Sequence, residues 1–208
     1  SKDRIFLKRF IPFNESFLRL IGYYLAEETA EAGEEGKESY YVSFPVPEDQ
    51  HLREAILTDI RKVFGEGGRG GVEPTINQRG ITLSGQVVYW LFKKILKLQT
   101  DPLRKQVPSF LMKFPKDKIK FVISAFFSIR GIPKPEQNII TCSSKSRELL
   151  KDLDLLLLRL GIFSDYSNLS GKRNTSYSLV LTKENVSNFA TKIAVSYTHL
   201  TLPTKRIV

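Results

Sequence analysis

The sequence predicts an α+β fold built from two similar halves, and three observations carry that prediction. Amphipathic helical segments alternate with short β-like runs along most of the chain. The order helix, strand, helix, strand, helix occurs twice. Landmarks of the second half follow those of the first at similar spacings: Gly161 lies 96 positions after Gly65, and Asn188-Phe189 lies 97 after Leu91-Phe92. The expected architecture is two αβ halves related by a pseudo-two-fold axis, with helices on one face of each antiparallel sheet.

In the first half, Phe17, Leu20, Ile21, Tyr24 and Leu25 recur at the spacing of one helix face over 17–26, and Asn14 is placed to cap it. Residues 27–38 are acidic, contain glycine and read as a loop. Tyr40, Val42 and Phe44 alternate with Tyr41 and Ser43, as in a strand. Pro47 to Asp49 starts a second helix over 51–64, with Leu52, Ile56, Ile60 and Phe64 spaced at four. The GEGGRGG run at 65–71 is a turn and not a phosphate loop, because no Gly-Lys-Ser/Thr follows. Ile76, Ile81 and Leu83 alternate around a tight turn at Arg79-Gly80. A third helix over 86–98 is expected to turn Trp90, Leu91, Ile95 and Leu98 inward.

The second half starts over with a very apolar helix over 118–127. A break at 131–135 precedes a strand at 138–142. The helix at 146–161 carries a stripe of Leu149, Leu150, Leu153, Leu156, Leu157 and Leu160, which reads as core. A strand at 177–181 and a helix at 185–194 close the pattern.

Composition narrows the class. The 208 residues can bury a core without staples, and a single cysteine, Cys142, allows neither an intramolecular disulfide nor a CxxC zinc pair. This usage points to an intracellular, cytoplasmic protein. No apolar run reaches the ~20 residues that a membrane span needs, so no membrane partner is expected. Lysine and arginine number 32 against 22 acids, a net charge of +10. Residues 1–50 hold an acid excess of four, so the basic character belongs to the rest of the chain. That balance fits a polyanionic partner and equally fits solvated lysine faces.

The two ends carry expectations of their own. The chain opens at Ser1 and its sole methionine is Met112, so a fragment or an excised domain is expected. VSYTHLTLPT at 195–204 resembles one reading frame of a sequencing adapter. On that reading residues 195–208 are a non-native tail and His199 carries no functional argument, the alternative being a genuine strand.

Two helices can be set in register, LIGYYLAEE at 20–28 over ISAFFSIRG at 123–131, an offset of 103. They resemble the LAGLIDADG (dodecapeptide) homing endonuclease family found in inteins and mobile introns. FLRLIGYYLAE is close to the usual first motif, SSKSRELL with LLLRLGI is close to the sequence that follows the second, and Lys105-Gln106-Val107-Pro108 looks like the family's Lys-x-Ile/Val-Pro block. The resemblance spans residues 15–194. It implies two αββαββα-type repeats, 1–115 and 116–194, packed through the motif helices in a monomer with internal pseudo-two-fold symmetry. Gly22 and Ser124-Ala125 are small residues at matching positions, which would let those helices pack closely.

The resemblance also implies a chemistry: acids at the two helix C-termini hold Mg²⁺ for phosphodiester hydrolysis of double-stranded DNA. Glu27 matches the first acid as metal ligand and catalytic residue, and Lys105 matches the basic residue near the phosphate. The second acid position is Arg130, whose guanidinium would repel Mg²⁺ and could pair with Glu27. Cleavage is therefore expected to be impaired to nicking or lost. For DNA contact, Arg79, Lys145, Lys172 and Arg173 stand on or beside the predicted strands. Alternative readings are a non-catalytic DNA-binding regulator of the same fold, and the endonuclease insert of an intein.

Overall fold

In the computed structural model, residues 11–27, 40–65, 72–78, 80–170 and 175–193 are described. Residues 28–38 of the loop expected at 27–38, most of the glycine-rich turn, Arg79, Lys172, Arg173 and the tail at 195–208 lie outside them.

The first half runs α1 (Glu15–Ala26), β1 (Tyr41–Phe44), α2 (Gln50–Phe64), β2 (Pro74–Asn77), β3 (Gly80–Ser84) and α3 (Gln86–Trp90). The second runs α4 (Lys116–Arg130), β4 (Ile132–Lys134), β5 (Ile139–Ser144), α5 (Arg147–Arg159), β6 (Asp165–Ser170), β7 (Thr175–Thr182) and α6 (Glu184–Ile193). Helix starts follow local chemistry. Asn14 Oδ1 accepts from Phe17 N–H at 2.9 Å, Asp49 Oδ1 from His51 N–H at 2.8 Å, and Ser146 Oγ from Leu149 N–H at 3.2 Å.

Both sheets are antiparallel, ordered β1-β3-β2 and β4-β5-β7-β6. The order β5-β7-β6 repeats β1-β3-β2, so the halves share one plan. In the first half, the place that β4 holds corresponds to chain outside the described residues. In that sheet Val42, Phe44, Ile81 and Leu83 point into the core, while Ser43, Thr75, Thr82 and Asn77 occupy the other face.

Three readings of the sequence are corrected. The break at 131–135 contains β4, an edge strand where Pro133 costs the sheet no internal donor. β6 has no counterpart in the sequence pattern: DYSNLS offers no apolar alternation and pairs because β7 supplies a neighbour from Val180 to Thr175. The third helix does not keep its period. After Trp90 the chain makes a π-turn over Leu91–Ile95, with Leu96 N–H donating to Leu91 O at 2.9 Å. The inward set becomes Val88, Leu91, Phe92, Leu96 and Leu98, while Trp90 is 46% and Ile95 70% exposed.

α1 and α4 form the centre. Every residue of α1 from Ser16 to Ala26 except Arg19 is buried, so the helix is enclosed on all sides rather than on one face. A Cβ at Gly22 would stand 2.4 Å from Val122 O and 2.7 Å from the Ala125 Cβ. Glycine therefore sets how closely the helices approach. They run in the same direction: Arg19 lies over the Phe121 ring at 5.8 Å near one end, and Arg130 reaches Ala26 at the other. Arg19 also makes a bidentate pair with buried Asp59 at 2.7 and 2.8 Å, tying α1 to α2.

Candidate functional site

The motif helices end side by side, and this shared end is the candidate site. α1 stops at Ala26, and Glu27, the first residue beyond it, donates its N–H to Tyr24 O at 3.3 Å in a tightened last turn. α4 continues through Arg130, and its corresponding cap is Gly131, whose N–H meets Phe127 O at 2.7 Å. Glu27 and Arg130, aligned by sequence, thus differ by one place relative to their helix ends. A Cβ at Gly131 would lie 2.5 Å from Phe127 O, so the tight exit from α4 needs glycine.

Arg130 crosses from the second half to the first: its Nε donates to Ala26 O at 2.7 Å. Lys105 reaches the same turn from the linker between the halves. It is 2% exposed, donates from Nζ to Tyr24 O at 2.8 Å and to Glu27 O, and stands 5.0 Å over the Tyr24 ring. Two cations therefore bond the last carbonyls of α1, where the helix dipole is negative. Burial, with Tyr89 adding to it, raises the Tyr24 hydroxyl above its usual range, so it stays neutral beside Lys105.

Residues outside the motifs hold Lys105 in place. Ser146 Oγ donates to Lys105 O at 2.5 Å, and Asp152 Oδ2 accepts from Val107 N–H at 2.9 Å. Further along α5, Arg159 donates to Met112 O at 2.8 Å and Phe114 O at 2.6 Å. Desolvation raises the Asp152 carboxyl, and the Val107 N–H works against that rise. Ser146 is legible in the sequence as a helix cap. Its bond to a carbonyl 41 residues earlier leaves no local signal.

Among the described residues Glu27 is the single carboxylate that the motifs supply at the junction, and Lys105 and Arg130 stand around the same turn. Ser128, within the second motif helix, donates to Ser124 O at 2.8 Å along its own helix. Among the described residues no group of three or more His, Cys, Asp or Glu side chains is placed to hold a metal. Cys142 offers no nucleophile either: burial pushes its thiol up to about 12.

The other predicted positions separate. Gly22 and Ala125 meet at the helix crossing, and Ser124 is buried beside them. Lys145 is exposed in the bend between β5 and α5. Arg79 falls between β2 and β3, and Lys172 with Arg173 between β6 and β7, all three outside the described residues.

A family model described as a LAGLIDADG-like domain matches residues 128–194. The chain is 31% identical over 170 residues to the DNA polymerase II large subunit of Thermococcus kodakarensis, covering 80% of this chain and 9% of that protein. It is 28% identical over 155 residues to a DNA polymerase of Pyrococcus horikoshii, covering 74% of this chain and 10% of that one. It thus spans about a tenth of the length of these curated relatives. The fold is similar to that of I-DmoI in complex with DNA and Mn, with a TM-score of 0.63, 14% identity, and coverage of 89% of this chain and 99% of that one. It is also similar to full-length DUF199/WhiA from Thermatoga maritima, with a TM-score of 0.55, 13% identity, and coverage of 95% and 64%. The chain thus carries a LAGLIDADG-like domain match over residues 128–194 and has the fold of the LAGLIDADG homing endonucleases, with two motif helices packed in register.

Proposed function

We propose that this domain binds double-stranded DNA at a specific site, inside the cell and as a monomer, and that it does not cut both strands. The observation that carries this reading is the Arg130 side chain on Ala26 O at 2.7 Å, a guanidinium where the family scheme needs the second acid. The two antiparallel sheets would lie along the duplex. Arg79, Lys145, Lys172 and Arg173 would supply base-edge and phosphate contacts. I-DmoI, a protein of similar fold, forms a complex with DNA and Mn, which supports DNA as the ligand.

The test is selection from a randomised duplex library, followed by incubation of plasmid carrying the selected site with Mg²⁺. The natural chain is expected to retain that duplex specifically and to leave the plasmid supercoiled or singly nicked. Efficient linearisation would overturn the loss of double-strand cutting. Arg130→Asp is the paired variant, expected to raise cleavage if Glu27 can act as a ligand.

A second reading concerns context. The matched relatives are DNA polymerases about ten times longer than the aligned segment, which favours an endonuclease insert within a polymerase chain. The surrounding genomic sequence would then read as polymerase on both sides. It would also hold a nucleophile-led block and a His-Asn end for splicing.

A further inference from the structure

The outer face of the second sheet presents methyl groups where a basic protein would be expected to present charge. Its residues stand in cross-strand rows. Ile132 lies opposite Thr141, Thr141 opposite Val180, and Val180 opposite Asp165 at the β6 edge. The next row is Lys134, Ile139 and Thr182. Alternate residues of the same strands, Ile140, Leu179 and Leu181, are buried in the core, so both rows point away from it. Ile132 is 57% exposed, and Ile139, Thr141 and Val180 are half-buried. Thr141 Oγ1 donates to Ile132 O at 3.4 Å, so its hydroxyl is engaged with the main chain and its methyl is what remains for a ligand. The patch has a cation at either end: exposed Lys134 pairs beside the start of β5, and exposed Lys145 follows its last residue. An apolar floor between two cations is complementary to a DNA groove, with phosphates on the rims and base edges between them. The apolar group that a base pair offers in the major groove is the thymine C5-methyl. In the first sheet, the row Ser43, Thr82 and Thr75 carries hydroxyls instead.

We infer that the second sheet selects thymine, packing Ile132, Thr141 and Val180 against C5-methyl groups in the major groove of its half of the target site. This rests on the DNA-binding reading above and names the sequence class of that ligand. A G·C pair offers no methyl to this surface, and its polar edge would lose water there without gaining a partner. Selection therefore has a repulsive side as well as an attractive one. The hydroxyl row of the first sheet gives the other half-site no comparable reason to favour a methyl.

The experiment uses the full chain and the duplex selected from the randomised library, with affinity read by fluorescence anisotropy. Deoxyuridine, which differs from thymidine only by the missing methyl, replaces thymidine in one half of the site and then in the other. The inference expects thymines in the selected site and a loss of about fourfold in affinity for each contacted methyl removed, confined to one half. A variant carrying Ile132→Thr and Val180→Thr should bind the thymine duplex more weakly and show a smaller uracil penalty. Full affinity with uracil in both halves overturns the inference while leaving the DNA-binding reading intact. A selected site without thymine does the same, as does an undiminished uracil penalty in the folded variant. If the variant instead changes self-association and keeps the uracil penalty, the face docks protein and the inference falls. Failure to select any duplex overturns both readings. The uracil arm needs no variant, so a misfolded substitution does not blunt the test.

Discussion

Lys105 is a buried charge whose Nζ donates to two main-chain oxygens and stands over an aromatic face. Lys105→Met should keep the stem's packing but remove the charged hydrogen bonds to the carbonyls of Tyr24 and Glu27, a loss of about 2 kcal/mol or more at a buried site. A lower urea midpoint at unchanged slope would register it. Asp152 predicts a pH dependence. Its carboxyl is raised in the folded chain, so its contribution is fully present below the unfolded value and is lost as pH rises through the folded one. Asp152→Asn keeps an oxygen for the Val107 N–H while removing the desolvated charge. The variant should match or exceed the natural chain's stability at neutral pH, and that relative gain should vanish in acid, as denaturation at the two pH values will show. Lys93 is lowered to about 8 by burial and by neighbouring Lys94, while it donates to Thr100 Oγ1 at 2.5 Å. With a limiting amine acylator near that pH, Lys93 should be modified ahead of Lys94, read by peptide mass spectrometry.

At the level of elements, the crossing of α1 and α4 depends on a missing side chain. Gly22→Ala places a methyl within 2.4 Å of the Val122 carbonyl and 2.7 Å of the Ala125 methyl. Forcing the helices apart should cost about 1–3 kcal/mol. Adding Ala125→Gly relieves the methyl contact but not the carbonyl one, so thermal denaturation of the double variant should recover part of the loss. This crossing is legible in the sequence because small residues at matching motif positions constrain distance directly. α2 and α5 are legible as well, since Ile56, Ile60, Leu150 and Leu153 keep the helical period and are all fully buried. Periodicity fails at α3, where a π-turn rotates everything after Trp90 and exposes Ile95. It fails again at β6, whose pairing is imposed by β7 from outside its own sequence. At the candidate site, residue types are readable but partners are not. The motif register points to Arg130 and Lys105, yet their attachment to the carbonyls of Ala26, Tyr24 and Glu27 depends on contacts some 80 and 104 residues apart in sequence.

Across the whole molecule, a single hydrophobic core runs from Phe17 to Ile193 through both halves, so neither half has a separate interior. The chain should unfold in one transition. Trp90, the sole tryptophan, lies in the first half, and its fluorescence should change together with the far-ultraviolet signal of all the helices. A fluorescence transition that precedes the other would show the halves coming apart.

The linker has a mechanical consequence. Residues 105–114 join the halves without a long helix or a strand, yet Ser146, Asp152 and Arg159 of the α5 region grip them at four points. A hinge is missing where one would be sought. A duplex seated on such a frame must itself supply any curvature the fit requires. Bases at the middle of the site would then be chosen for how readily their steps bend, with pyrimidine–purine steps favoured at positions that no side chain touches.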